Sequence, residues 1–320
     1  MKRTTDYEKL ISCLRDPIFD RVLVACHRSP DGDAAGSAHA LAYALRKMGR
    51  QAGVWCPDPF GTEFSYLFSE EESLPAFEPE HYVTVDVADP SMLCDAPFAG
   101  CIHAAVDHHR INRVEAEVKY VDPAAASCGE ILVDVIRDLG VTLDSYLAEA
   151  LYTAVATDTG CFRYSNTTEK TFLAAATLSA YAEKGAFYRI NKAMFESKSR
   201  TRLKLEAYAA EQMGVLCEGK LAYLSVSLEK QEKLGAEYRE LDTMINVMRQ
   251  LEGVRVAIIA KEREEGVYKV SVRSEAEFDA AAFCAVFGGG GHVAAAGCTL
   301  EGREEDVLSA LLKEAEGRLS

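Results

Sequence analysis

Histidines and aspartates recur in four short motifs, and each motif directly follows an apolar run. The motifs are HRSPDGD, TVDVAD, VDHH and TDTG, and their candidate metal ligands are His27, Asp31, Asp33, Asp86, His108 and Asp158. Carboxylates and imidazoles without a thiolate suit Mn²⁺, and they tolerate Mg²⁺, Co²⁺ or Zn²⁺. Four aspartates crowded together without cations would raise one another's pKa values until some became protonated. We therefore predict that this set binds divalent metal.

The number of candidate ligands favours two cations over one. Two ions about 3.5 to 4 Å apart need a bridging carboxylate and a bridging water that becomes the nucleophile, which favours phosphoester hydrolysis. Taken singly, Asp31 or Asp89 is better explained as a turn former or a helix N-cap, and Asp107 as a residue that orients a histidine. The order of all four motifs together favours a catalytic site. By contrast, His39, His81 and His103 are expected to be ordinary histidines outside the site.

The elements that must position these motifs alternate between strand and helix. Strands are predicted at Val22–Cys26, Ala52–Trp55, Tyr82–Val87 and Ile102–Val106, and helices at Ala34–Met48, Ser127–Leu139 and Tyr146–Ala156. This alternation predicts an α/β domain over residues 1–186, with a mainly parallel sheet and helices on both faces. Ligands gather at the carboxyl ends of parallel strands, so the four motifs should converge there.

The pattern changes after this domain. Residues 187–215 are polar and helix-forming, which predicts a helical connector. Residues 216–320 predict a smaller α/β domain with a mixed sheet: strands at Leu221–Leu228, Val254–Ala260 and Val267–Val272, and helices at Gln231–Leu251 and Phe278–Phe287. The glycine run Gly288–Gly291 predicts a flexible hinge before His292.

Composition limits the class of protein. A chain of 320 residues that is 48% hydrophobic can form two packed domains. Its 50 acidic and 35 basic residues give a net charge of −15, which argues against a broad grip on long nucleic acid. No apolar run is long enough for a membrane span, and no signal-peptide core follows the N-terminus. Ten cysteines without a CxxC pair favour a reducing compartment, so we predict a cytoplasmic protein without membrane partners.

The four motifs resemble those of the DHH phosphoesterase superfamily, and FGGGGH resembles the GGGH signature of its companion DHHA1 domain. The resemblance covers nearly the whole chain. Within the superfamily, the compact size and the segment FRYSNTT are most similar to the NrnA-type subfamily. The resemblance implies hydrolysis of very short RNA or DNA oligonucleotides to nucleoside monophosphates, and of 3′-phosphoadenosine 5′-phosphate (pAp) to AMP. It implies two Mn²⁺ as cofactors, with Mg²⁺ or Co²⁺ as alternatives, and a homodimer.

The resemblance also implies roles for individual residues. One metal would be held by His27 and Asp31, the other by Asp33, His108 and Asp158, with Asp86 bridging the two ions. His109 would face the scissile phosphate, and Asp107 would orient the neighbouring residues without contacting a metal.

The second domain is expected to bind substrate. Arg273 offers a bidentate phosphate clamp, and the backbone of Gly289, Gly290 and Gly291 before His292 can approach an anion closely. The resemblance implies that this domain acts as a lid over the terminal nucleotide. The simpler alternative is that Arg273 pairs with Glu275 or Glu277 and that the glycines form a mobile turn.

Three other functions stay open at this point. A cyclic di-AMP or pApA phosphodiesterase of the same superfamily would share these motifs. A manganese pyrophosphatase is disfavoured, because its second domain lacks GGGH. A nucleotide-binding regulatory protein with little turnover would keep the metal ligands, and only an assay of turnover separates it from an enzyme.

Overall fold

The computed structural model describes residues 4–68, 77–94, 96–275 and 277–319, without the side chains of Arg239 and His292. The predicted contribution of the His292 side chain therefore lies outside the described residues. The chain forms two compact units, residues 1–197 and 198–320. The described residues contain no helix with the length and apolarity that crossing a bilayer requires.

The first unit is built on a parallel sheet of five strands. Its strands are β1 (Val22–Ala25), β2 (Ala52–Trp55), β3 (His81–Val85), β4 (Ala104–Asp107) and β5 (Val118–Val121). They lie in the order β2-β1-β3-β4-β5, with every neighbouring pair parallel. Strand β5 was not predicted from the sequence, because its four half-buried residues carry a lysine and only a short apolar signal.

Helices cover one face of this sheet. They are α1 (Thr5–Arg15), α2 (Gly32–Lys47), α3 (Cys128–Asp138), α4 (Ser145–Asp158), α5 (Glu169–Ser179) and α6 (Ala186–Asn191). Helices α1 to α4 share one apolar core with strand residues such as Val24 and Val85. Leu23 and Ala25 point to the opposite face and pack against a segment that includes Leu93 and Phe98. The α/β prediction is confirmed. The sequence predicted helices on both faces of the sheet, but mainly irregular chain covers the face opposite to α1–α4.

The second unit is a mixed sheet with its own helices. In chain order its elements are α7 (Arg200–Gln212), β6 (Gly214–Leu216), β7 (Leu221–Val226), α8 (Leu228–Leu234), α9 (Met244–Met248), β8 (Val256–Glu264), β9 (Val267–Ser274), α10 (Ala280–Ala285), β10 (Gly290–His292), β11 (Ala295–Glu301) and α11 (Glu304–Leu319). The strand order is β10-β11-β9-β8-β7-β6, and only the β7–β8 pair is parallel. The predicted mixed sheet is confirmed.

Two details of the second unit differ from the prediction. The single helix predicted at Gln231–Leu251 is broken: α8 ends at Gly235, whose φ of 63° is left-handed, and a 3-10 turn precedes α9. The predicted glycine hinge is partly strand, since Gly290 pairs with Gly297 across β10 and β11. A Cβ on Gly289 would lie 2.3 Å from the carbonyl oxygen of Gly297, so this close approach requires glycine.

The division into residues 1–186, 187–215 and 216–320 stays a prediction. The first compact unit extends to residue 197, so it includes α6 and the π-helical turn Lys192–Glu196.

Candidate metal centre

The strand order brings three of the four motifs to one edge of the parallel sheet. In a sheet of order 2-1-3-4-5, the connections that follow β1 and β3 run over opposite faces of the sheet. A crevice therefore opens between the carboxyl ends of these two strands. His27 follows β1, Asp86 follows β3, and His108 follows β4. Since these strands are neighbours, the three side chains meet at this crevice.

Close helix packing delivers the remaining candidate ligands. Asp33 lies in the first turn of α2, and Asp158 is the last residue of α4. A Cβ on Gly32 would lie 2.4 Å from the Thr157 side chain, and a Cβ on Gly36 would lie 2.3 Å from the carbonyl oxygen of Ala150. Glycine at both positions therefore lets α2 and α4 approach closely, which brings Asp33 and Asp158 to the same crevice.

The six predicted metal ligands fall into two neighbouring groups. One group is His27, Asp31 and Asp86, and the other is Asp33, His108 and Asp158, with candidate ligand atoms in each group within 4.8 Å of one another. Asp86 belongs to both neighbourhoods, because Nε2 of His27 lies 3.4 Å from its Oδ2 and Nε2 of His108 lies 3.6 Å from its Oδ1. Nε2 of His108 also lies 3.4 Å from Asp158. The structure thus brings all six side chains together.

Asp33 is fixed by the start of α3. Its two carboxylate oxygens accept hydrogen bonds from the backbone amides of Cys128 at 2.7 Å and Gly129 at 2.9 Å, and Ser37 donates a third at 3.0 Å. These amides are among the groups that a helix N-terminus leaves without internal partners, and the helix dipole there favours a negative charge. A Cβ on Gly129 would lie 2.3 Å from that of Ala154, so glycine permits this approach too.

Asp86 combines backbone strain with an unsatisfied oxygen. Its φ of 56° is left-handed, a conformation that is costly outside glycine and is concentrated at functional sites. The residue is 2% exposed, and its Oδ1 has no hydrogen-bond partner among the described residues. A buried oxygen without a donor is unfavourable, and a cation would satisfy it. The residues at this crevice therefore fit a bound metal.

The charges at the crevice also fit a cation. Burial, followed by the neighbouring carboxylates, raises the pKa of Asp33 and Asp31. Burial also raises the pKa of Asp158 to about 7, although the charge of His108 opposes this shift. Burial opposes protonation of His27 and His108, but their contacts with the carboxylates prevail and raise their pKa values to about 9 and about 10. When no metal is bound, protonated histidines therefore balance the negative charge of the neighbouring carboxylates.

His109 is oriented by Asp107, and these two residues form a third group of potential metal ligands together with Asp86 and His108. Asp107 is 1% exposed; its Oδ1 accepts from Nδ1 of His109 and from the amide of His108, both at 2.8 Å. Its Oδ2 accepts from Asn112 at 2.7 Å. The hydrogen bond with Asp107 outweighs burial and raises the pKa of His109. The donors to Asp107 are the ring of His109, the amide of His108 and the side chain of Asn112, which favours a function in orienting His109.

Sequence reasoning missed two asparagines that support the site. Asn112 also donates to the carbonyl oxygen of Val87 at 2.9 Å, so it ties the loop after β3 to the loop after β4. Asn166 donates at 3.0 Å both to the carbonyl oxygen of Asp158 and to that of Ala126 before α3. Both follow a metal-binding motif closely, DHHRIN and TDTGCFRYSN, and that proximity is the signal that the sequence offered.

The predicted substrate-binding residues of the second unit line one groove. Arg273 of β9 and the run Gly288–Gly291 border a space of about 530 Å³ on the sheet, together with Ser271 and Lys269. Glu277, the predicted alternative partner of Arg273, instead pairs with Arg255. Burial lowers the pKa of Arg273, although a guanidinium stays charged at any physiological pH. The groove therefore presents cationic side chains beside exposed glycine backbone.

Comparison with known proteins agrees with this architecture. Residues 21–155 match the family model described as DHH family, N-terminal domain, and residues 218–320 match that of the DHHA1 domain. A protein named bifunctional oligoribonuclease and PAP phosphatase NrnA from Thermus thermophilus is 33% identical over 96% of this chain and 92% of its own length. A protein of the same name from Bacillus subtilis is 24% identical over 90% and 92%. A crystal structure of an exopolyphosphatase-related protein from Bacteroides fragilis has a TM-score of 0.86 over 98% of this chain and 95% of its own, at 22% identity.

Proposed function

This chain belongs to the DHH family of phosphoesterases and carries the DHHA1 domain, and on that premise we propose that it hydrolyses short oligonucleotides to nucleoside monophosphates and pAp to AMP. The relatives named as oligoribonucleases and pAp phosphatases support this substrate class. The observation that carries the proposal is the strained, unsatisfied Asp86, whose two oxygens lie within 3.6 Å of a histidine from each ligand group.

Two divalent cations fit the two groups. His27 and Asp31 would hold one cation, Asp33, His108 and Asp158 the other, and Asp86 both. The mixed oxygen and nitrogen ligands favour Mn²⁺, with Mg²⁺ or Co²⁺ as substitutes. When bound, such cations polarise a phosphate and activate water.

The chain's own residues then position the ester and the leaving group. Asp107 accepts a hydrogen bond from Nδ1 of His109 and so fixes the orientation of the ring, which we propose faces the scissile phosphate. Since the pKa of His109 is raised, the ring favours the imidazolium form. An imidazolium here stabilises negative charge on the phosphate or donates a proton to the leaving oxygen.

Charge supports the preference for short substrates. The chain carries a net charge of −15, so a long polyanion gains little from general electrostatic attraction. Two cationic side chains, Lys269 and Arg273, border the groove of the second unit, where we propose that Arg273 binds a phosphate of the substrate through two parallel hydrogen bonds.

A substrate panel tests this proposal. The metal-loaded protein would be given pAp, an RNA dinucleotide, pApA, cyclic di-AMP and an RNA twelve-mer, and the products would be separated by chromatography. We expect turnover of pAp and the dinucleotide, and slower turnover of the twelve-mer. Preference for pApA or cyclic di-AMP would reassign the substrate, while tight binding without product would favour a regulatory protein.

Paired aspartate variants link any turnover to this site. Asp86→Asn should lower turnover by at least about 100-fold, because even partners of metal ligands cost 10-fold to 100-fold when changed. Asp89→Asn is the matched control: Asp89 lies three residues away, caps a short 3-10 helix and pairs with Arg113. Equal activity of the two variants would contradict the assignment of the site.

A further inference from the structure

An exposed aromatic ring, that of Tyr164, follows the predicted metal ligand Asp158 by six residues. After Asp158 the chain turns through three left-handed residues, Gly160, Cys161 and Phe162, with φ between 55° and 63°. Phe162 points inward and stacks on Phe172. Tyr164 instead stays 53% exposed.

The ring of Tyr164 rests on Gly160. A Cβ on Gly160 would lie 2.4 to 2.6 Å from three carbon atoms of the ring, so any other residue would displace it. Gly160 lies two residues after Asp158, a separation of at most about 7 Å along an extended chain. The ring is therefore held close to a predicted metal ligand.

Hydrogen bonds make this turn rigid. The amide of Tyr164 donates to the carbonyl oxygen of Thr159 at 3.0 Å, and the hydroxyl of Thr159 accepts from the amide of Phe162 at 3.1 Å. Asn166 ties the same turn to the carbonyl oxygen of Asp158. A ring fixed in advance loses little conformational entropy when a ligand packs on it.

We propose that Tyr164 stacks on the base of the nucleotide whose phosphate lies at the metal centre. A flat apolar face beside a phosphate-binding centre matches the two ends of a nucleotide, an aromatic base and an anion. Stacking tolerates all four bases, since each has a π-face, so this contact selects nucleotides over other phosphate esters without selecting sequence. The inference rests on the proposed function and adds the residue that recognises the base.

The test compares substrates with and without a base. Tyr164→Ala should raise KM for pAp by about 5-fold to 150-fold, the range of alanine substitution at base-stacking aromatics. Its KM for ribose 3′,5′-bisphosphate, which lacks the base, should stay within about twofold of wild type. Tyr164→Phe should behave as wild type towards both substrates. Tyr188→Ala is the matched control, since Tyr188 is 64% exposed on α6.

Each outcome supports or overturns the stacking contact. Equal losses on both substrates would show a structural role for Tyr164, and no loss on either would show that the base does not contact it. If the wild-type protein turns over neither substrate, the proposed function fails. The stacking contact is then tested by binding: wild type should bind AMP more tightly than ribose 5-phosphate, and Tyr164→Ala should abolish that difference.

Discussion

Replacing Asn112 with alanine should slow the reaction without emptying the metal centre. Asn112 donates hydrogen bonds to Oδ2 of Asp107 and to the carbonyl oxygen of Val87, and to none of the six predicted ligands. In Asn112→Ala the carboxylate of Asp107 keeps its contact with His109 through Oδ1 but loses the donor that fixes Oδ2. The imidazole of His109 is then held less firmly.

The expected magnitudes follow from these contacts. A hydrogen bond to a charged group contributes about 1.5 to 3 kcal/mol and one to a neutral carbonyl about 0.5 to 1.5 kcal/mol, so loss of the two donated bonds should cost the first unit about 2 to 4.5 kcal/mol of stability. Loss of such a supporting residue lowers activity by roughly 10-fold to 100-fold. We expect this loss in kcat, with the affinity for Mn²⁺ changed by less than about threefold, because the ligands keep their places.

Steady-state kinetics and calorimetric titration with Mn²⁺ provide the assay. Asn191→Ala is the matched control, because Asn191 is also half-buried in the first unit and donates to the hydroxyl of Tyr152 at 2.9 Å. It should lose stability and keep its kcat. Wild-type kcat in a folded Asn112→Ala protein would refute the orienting function of Asp107, and so would a loss that appears only as weaker metal binding.

Three further predictions concern protons, packing and the phosphate clamp. Because the pKa values of His27 and His108 are raised to about 9 and about 10, both rings are protonated at pH 7.5 and must lose their protons to bind metal. Mn²⁺ binding should therefore release at least about two protons, because the raised pKa values of Asp158 and Asp33 add to those of the histidines, and it should strengthen as pH rises. Calorimetry in Tris and HEPES measures this release, and no proton release would contradict the prediction. Gly36→Ala should destabilise the protein by about 1 to 3 kcal/mol by pushing α2 from α4, whereas Gly317→Ala in the open interior of α11 should stabilise it by about 0.5 to 1 kcal/mol in thermal melting. Arg273→Lys should raise KM for pAp by about 10-fold with a smaller change in kcat, because lysine keeps the charge and loses the bidentate geometry; an unchanged KM would exclude the clamp.

The sequence could predict the position of charged residues that directly follow apolar runs. Such runs form buried strands, and the residues after them lie at the edge of the sheet. His27, Asp86 and His108 illustrate this: each follows a strand, and the structure brings all three together at one sheet edge. Short strands with few apolar residues could not be predicted in this way. Strand β5 was missed because its four residues, Val118–Val121, are too short a run to stand out until their pairing with β4 is seen.

The close contacts that depend on glycine were also hidden in the sequence. Gly36 reads as an unfavourable residue inside a helix until its contact with α4 is known. Gly290 belongs to a run that reads as a flexible hinge until its pairing with β11 is seen. Likewise, nothing in the local sequence distinguishes Asn112 from any loop asparagine. Gly36 meets Ala150 and Asn112 meets Val87 far along the chain, whereas Gly290 pairs with Gly297 only seven residues on; in all three cases only the folded structure shows the contact.

The pair of metals at Asp86 is the central claim, and anomalous diffraction at the manganese edge tests it most directly. Crystals grown with Mn²⁺ should show two peaks in this crevice, one beside His27 and Asp31, the other beside Asp33, His108 and Asp158, with the Asp86 carboxylate contacting both. A single peak, or manganese bound away from Asp86, would contradict the account.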